Sequence, residues 1–287
     1  MRIGDLYKAK KTVVSCEIFP PKPDYPVETI FHTLAGLSEM NPDYISVTYG
    51  AGGSSCARTV QIASTVKNDY GVETLAHLTC VGADCATTDG VLDQLKNAGV
   101  ENVLALRGDL PEGAEKKHGG EFHEYAKDLI AHLHSQWEFC IAAAAYPEGH
   151  PGCATLSLDR QRLKQKVDAG ASFLITQLFF DNAMYYQMLE DIRKIGVLCP
   201  VAAGIMPVLN AAQIRRITGL CGATIPAGLA TLLQKYGDNP VEMEKAGLEY
   251  ACEQIVDLVS RGAEGIHLYT MNKPVQTKFI LKQTGLR

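Results

Sequence analysis

Glu17 is the first residue whose setting points to chemistry. It stands in SCEIFPPK, with Val13, Val14, Ile18 and Phe19 around it and Pro20-Pro21 stopping the segment rigidly. Apolar surroundings penalise a charged carboxyl, so the expectation is a raised pKa and a group suited to act as a general acid. A glutamate satisfied by a core arginine or by backbone amides would look the same in sequence. Further on, LALRGDLPEG ends an apolar run in Arg107 and Asp109, a charge pair around Gly108, which lets backbone approach a ligand. An ordinary turn has the same composition. YGAGGSS, residues 49–55, is a glycine-rich loop before a helical pattern that begins near Ser54 or Ser55, where free amides could receive an anion. It has neither the Lys-Ser/Thr ending of a P-loop nor the GxGxxG order of a dinucleotide fold.

Other chemistries find less support. Cys80 and Cys85 form the only close cysteine pair, and no second pair or histidine cluster follows at metal-finger spacing, so no metal site is expected. His118 and His123 lie in a polar stretch, while His132 and His134 are two apart on a helical segment; all four read as surface or helix-solvating side chains. No lysine falls on a predicted strand, which argues against a Schiff-base aldolase.

Eight short apolar runs must carry these residues: 12–18, 43–49, 73–80, 102–107, 138–145, 172–179, 199–205 and 265–270. Between them lie patterns with apolar residues three and four apart, such as Ile30, Leu34 and Leu37, or Tyr185, Met188, Leu189 and Ile192. Eight strands in 287 residues leave about 36 residues per unit, the arithmetic of a single (β/α)8 TIM barrel. A doubly wound sheet of this length would use fewer strands and a long polar crevice. No repeat or linker divides the chain, so residues 1–287 read as one domain. The longest gap, between strands seven and eight, predicts two extra short helices before a long one from about 240 to 260. A barrel places its site at the C-terminal strand ends. Those ends hold Glu17, Thr48, Tyr49, His77, Arg107, Asp109, Tyr146, Gln177 and Tyr269. Tyrosine rings that close the barrel top, or a histidine satisfied in the core, are the structural alternatives.

Composition narrows the partners. With 46% apolar and 21% charged residues the chain is an ordinary globular protein rather than a disordered or fibrous one. Lys plus Arg number 27 against 32 Asp plus Glu, a net charge of -5, so nucleic acid and anionic membrane surfaces are not expected partners. Residues 1–15 carry no export signal, and no apolar run reaches 18 residues. Nine scattered cysteines fit a reducing cytoplasm.

Taken together, SCEIFPPK, ISVTYGAGGS, AHLTC, LALRGDLP, AAYPEGHP, KVDAGASFLITQLFFD, AGIMPV and HLYTMNK resemble, in order over residues 12–274, the motifs of the bacterial methylenetetrahydrofolate reductase family. The resemblance implies a homo-oligomeric barrel that binds FAD without a covalent link. It takes hydride from NADH or NADPH and reduces 5,10-methylenetetrahydrofolate to 5-methyltetrahydrofolate in ping-pong fashion, for methionine synthesis. By that resemblance Glu17 is the acid that opens the folate ring at N10, and Asp109 is the carboxylate near flavin and pterin. Thr48, Tyr49, Ala51, His77, Arg107, Gly108, Asp109, Ala126, Tyr146, His150, Cys153, Asp159, Arg162, Gln165 and Lys166 take flavin-site positions. Glu17, Asp109, Gln177, Gln213, Tyr269 and Lys273 take positions on the substrate face. Three variations stay open: the same reductase fed by an electron-donor partner protein, a pterin-binding methyltransferase barrel without flavin, and a catalytically weak subunit that serves as an electron-transfer or scaffolding partner. The chain departs from the family pattern at Cys16, where Phe is familiar, at Lys22 and Lys273, where Arg is common, and at Arg162 and Gln165, where Asn and Arg usually neighbour the flavin phosphates.

Overall fold

The computed structural model describes residues 1–22, 24–49, 56–109 and 123–287. Eight strands, β1 (Val13–Ile18), β2 (Tyr44–Val47), β3 (Glu73–Thr79), β4 (Asn102–Leu106), β5 (Cys140–Ala145), β6 (Phe173–Thr176), β7 (Val201–Ile205) and β8 (Gly265–Tyr269), pair in parallel in chain order. β8 returns to β1 and closes the barrel, with Val13 opposite Gly265 and Glu17 opposite Tyr269. The (β/α)8 expectation holds, and each predicted run contains a strand. The runs overshoot at their ends: β6 stops at Thr176 rather than 179, because the Gln177 side chain accepts the Leu178 N–H at 2.8 Å and turns the chain out of the ladder.

The helices are α1 (Ile3–Ala9), α2 (Phe31–Ser38), α3 (Cys56–Asn68), α4 (Cys85–Asn97), α5 (Ala126–Gln136), α6 (Leu156–Asp168), α7 (Asn182–Lys194), α8 (Ala211–Cys221), α9 (Ala227–Tyr236), α10 (Pro240–Ser260) and α11 (Pro274–Gln283). Several begin where a short polar side chain accepts an otherwise unpaired amide: Asp84 for α4, Thr155 for α6, Asn210 for α8 and Asn239 for α10. Each such cap is worth about 1 kcal/mol. As predicted, two shorter helices precede the long α10. Among the described residues no helix is long and apolar enough to cross a membrane.

Alternation along each strand sorts side chains into two apolar layers. Val14, Cys16, Ile18, Ile45, Val47, Ala76 and Leu78 face the helices, whereas Val13, Tyr44, Leu75, Leu104 and Phe173 fill the barrel. α1 seals the barrel floor, with Ile3 buried in that inner layer and the Tyr7 ring centred 5.3 Å from Phe173. The inner layer gives way to polar side chains toward the C-terminal strand ends. Two residues beyond Val13 comes Ser15, and two beyond that Glu17. Cys16 belongs to the other layer, so its departure from the familiar Phe changes helix packing rather than the surroundings of the carboxylate.

Candidate functional site

Polar groups at the barrel mouth gather into two regions. The first is built on β1, β2, β3 and β8. Register sets Ser15 opposite His267 and Glu17 opposite both Ser46 and Tyr269, so these side chains meet inside the barrel. His267, fully buried, makes contact through both ring nitrogens: Nδ1 lies 2.8 Å from Ser15 Oγ and Nε2 lies 3.3 Å from Glu17 Oε2. On the other side His77 Nε2 lies 2.8 Å from Ser46 Oγ and 3.5 Å from the same carboxylate oxygen. Ser46 donates to that oxygen at 3.4 Å.

This setting reverses the expected titration of Glu17. Burial pushes the carboxyl up, but the hydrogen bond from His267, the electrostatic pull of His77 and His267 and the Ser46 hydroxyl outweigh it, and the net shift is downward. The apolar neighbours read from the sequence, Val14 and Ile18, point at the helices, while the neighbours across the barrel are hydroxyls and imidazoles. Burial also drives His77 down to about 4 against the attraction of Glu17. At neutral pH this is a carboxylate flanked by a neutral imidazole and a second buried one.

Tyr269 borders the same region. Its hydroxyl donates to the Thr176 carbonyl at 2.7 Å, and the Gly204 N–H donates to Thr176 Oγ1 at 2.8 Å. A Cβ at Gly204 would stand 2.3 Å from that carbonyl and 2.8 Å from the Tyr269 ring. Only glycine leaves room for the ring to cross from β8 to β6.

The second region is a cavity of about 330 Å³, at the small end of the range for ligand pockets. Arg107 beyond β4, Ala126 and Lys127 on α5, Tyr146 and His150 beyond β5, and Asp159, Arg162, Gln165 and Lys166 on α6 line it. α6 presents 159, 162, 165 and 166 together because three- and four-residue spacings fall on one helix face. Four cations thus confront one carboxylate. That carboxylate is engaged already, accepting from Arg160 Nη1 at 3.0 Å and from the His150 amide at 3.2 Å. Lys166 reaches inward to donate to the Ala144 carbonyl at 2.9 Å, and burial lowers its amine to about 8 against the pull of Asp159. Burial and the charges of Arg107 and Lys166 lower His150 too. Surplus positive charge in a chain of net -5 suits an anionic ligand, and a dinucleotide diphosphate such as that of FAD fits this donor set.

The remaining sequence-predicted residues divide by position. Gly108, at φ +83, packs where a Cβ would meet Thr79 at 3.0 Å, so the turn after Arg107 requires glycine. Asp109 is exposed there, yet its charge, after burial, helps push the Tyr146 hydroxyl up to about 12. Thr48 and Tyr49 end the β2 side of the mouth and His77 joins Glu17, so none of the three lines the cavity. Cys153 lies beside it, its thiol 3.6 Å from the Thr155 carbonyl. Gln177 accepts from the Leu178 amide through Oε1, Gln213 sits half-buried in the first turn of α8, and Lys273 is exposed before α11. Ala51, the rest of the glycine-rich loop over 50–55, Leu110-Pro111 and His118 lie outside the described residues. His132 is more engaged than a surface reading implied, with Nε2 2.7 Å from Asp89 and its ring 5.0 Å from that of His123.

Sequence reasoning missed Ser15, Ser46 and His267 at the carboxylate and Lys127 at the cavity. The period-two signal for the first three was present: each stands two residues before a strand-end residue already singled out, Glu17, Thr48 or Tyr269.

Comparison with known proteins matches residues 2–285 to the family model described as methylenetetrahydrofolate reductase. "Methylenetetrahydrofolate reductase (NADH) 1" of Arabidopsis thaliana is 37% identical over 99% of this chain, which spans about half the length of that relative. "5,10-methylenetetrahydrofolate reductase" of Escherichia coli strain K12 is 33% identical over 96% of this chain and 91% of its own length. Among solved structures, an uncharacterised Clostridium thermocellum protein described as binding two copies of 5-methyl-5,6,7,8-tetrahydrofolic acid superimposes with a TM-score of 0.69 at 12% identity. The match covers 99% of this chain and 98% of that one, a likeness of fold.

Proposed function

The chain belongs to the methylenetetrahydrofolate reductase family, and from that membership we propose that it reduces 5,10-methylenetetrahydrofolate to 5-methyltetrahydrofolate with NADH or NADPH as donor. The observation that carries the reading is the pairing, at one barrel mouth, of a buried carboxylate among imidazoles with a cation-lined cavity. FAD bound there would supply two-electron hydride chemistry linking the nicotinamide to the folate.

The protein's part begins with anchoring. Arg107, Arg162 and Lys166, with Lys127 at the rim, hold the diphosphate, and Tyr146 and His150 wall the cavity beside it. Gln165 offers an amide where the family usually has a guanidinium, so Arg162 carries that charge one helical turn earlier. Glu17 serves the substrate. A folate ring entering the mouth displaces water, which strengthens the one influence already raising the carboxyl, its burial, and so favours the protonated form. The proton is then delivered to N10, the ring opens, and the N5 iminium accepts hydride. His267 and His77 keep the carboxyl oriented, each steadied by a serine hydroxyl. Asp109, exposed at the β4 turn and close enough to Tyr146 for its charge to be felt there, is the carboxylate the family resemblance sets near flavin and pterin.

The family resemblance also supports a homo-oligomer and one barrel domain over residues 1–287. Nine free cysteines support work in a reducing cytoplasm. The test is anaerobic: purified yellow protein should bleach with NADH or NADPH and recover its colour on adding methylenetetrahydrofolate. Folded protein that neither retains nor takes up FAD would refute the proposal.

A further inference from the structure

Lys166 is a nucleophile as well as a cation, and the reaction proposed above uses only its charge. Its side chain leaves α6 one turn after Arg162 and lies along the cavity wall, with Nζ donating to the Ala144 carbonyl at 2.9 Å. The charged and titratable groups facing it are Arg107 beyond β4, Lys127 on α5, Tyr146 and His150 beyond β5, and Asp159 and Arg162 on its own helix. A small molecule entering this space meets guanidinium groups suited to a phosphate and an amine within the same walls.

We propose that Lys166 is acylated by small acyl phosphates whenever the cavity holds no cofactor, and that the resulting amide closes the cavity to FAD. The consequence rests on reading the cavity as the cofactor site, while the chemistry rests on the cavity alone. The Nζ lone pair attacks the acyl carbon. The bond from that carbon to the phosphate oxygen breaks, and its electrons leave with the phosphate. The proton lost from Nζ ends on the departing group, giving an amide and hydrogen phosphate with no oxidant or reductant. Arg107 and Arg162 hold the phosphate and stabilise it as it leaves. Burial supports the attack: an amine titrating at about 8 is roughly one quarter unprotonated at pH 7.5, against about one part in a thousand for an ordinary lysine. The product has lost the positive charge and gained bulk at the point where an anionic ligand would bind.

Lys164 provides an internal control. It lies two residues away on α6, and its amine is paired with both oxygens of Asp168, at 2.7 and 2.9 Å. The full chain, dialysed free of flavin, is treated with acetyl phosphate and the two sites are compared by peptide mass spectrometry. We expect acetylation of Lys166 to exceed that of Lys164 at least tenfold, and saturating FAD to abolish the excess. Arg162→Gln should lower the excess with acetyl phosphate but not with the phosphate-free N-hydroxysuccinimidyl acetate. Equal labelling of the two lysines overturns the proposal, as does a preference for Lys166 that is the same with both donors and indifferent to Arg162. Selective labelling that FAD fails to suppress, in protein that does not bind FAD, leaves the acylation standing and overturns the cofactor reading instead.

Discussion

The two polar regions at the mouth of this barrel solve opposite problems. Around Glu17 the groups are short or ring-shaped, borne on strands, and nearly sealed from water: Ser15, Ser46, His77 and His267 are all buried. In the cavity beyond β4 and β5 the groups are long, borne mainly by helices and turns, and several reach solvent, as Lys127, Arg162 and Gln165 do. In the proposed reaction the first region moves a proton, which demands the fixed distances that neighbouring strands in register provide. The second would hold a large anion, which demands charge spread over a surface, here by cations from α5, α6 and the turn beyond β4. Both regions contain a displaced titration, and burial is its leading influence in each. Hydrogen bonds reverse the outcome at Glu17, whereas at Lys166 burial prevails.

The sharpest way to separate the two regions is Glu17→Gln. It should slow folate reduction by about 10²- to 10⁴-fold, the usual worth of a general acid, while flavin reduction by NADH proceeds unchanged. Equal slowing of both half-reactions in stopped-flow traces would show that the regions do not act separately. Lys166→Met tests the other side. Loss of a charged hydrogen-bond donor is typically worth about 1.5–3 kcal/mol, so FAD should bind some 10- to 150-fold more weakly by fluorescence titration. The NMR signals of the His77 and His267 rings should keep their positions, and their movement would break the division.

Gly204→Ala strikes the seam between the regions, where Tyr269 crosses to Thr176. The added methyl cannot fit without moving a backbone carbonyl or the ring, and a loss of about 1–3 kcal/mol in urea unfolding is expected. An unaltered midpoint would mean that the tyrosine is free to swing away. The mildest effect concerns pH. An anion in the cavity favours the charged form of Lys166, so FAD affinity should be level below about 8 and then fall by up to tenfold per unit as the amine of the free protein loses its proton. Affinity that rises above pH 8 would contradict an anchoring role for this amine.

Much of the fold was legible because a closed parallel barrel repeats one unit, and apolar runs at even spacing advertise it. The position of Glu17 was legible for the same reason, as a polar residue at a strand end. Its company was not, since register between strands decides which residues meet, and β8 lies far along the chain from β1. The raised carboxyl read from Val13, Val14, Ile18 and Phe19 failed on that point: Val14 and Ile18 face the helices, and although Val13 shares the inner face, the hydroxyls and imidazoles across the barrel outweigh it. The cavity presents a different case. Arg162 and Lys166 share a helix face by spacing alone, but nothing in the sequence by itself joined them to Arg107 or to Lys127.

Glu17 and His267 are 250 residues apart and touch. At synthesis rates of about 5–20 residues per second, a ribosome needs roughly 12–50 s after making the carboxylate before it makes the imidazole. Throughout that interval β1 and the latest strand are open sheet edges, the kind of surface that recruits other chains, because β8 alone pairs with both β1 and β7. The acid therefore acquires its partner and the nascent sheet loses its exposed edges in the same event. A chain interrupted before β8 has neither, so an unfinished molecule carries open sheet edges and an unpartnered carboxylate together.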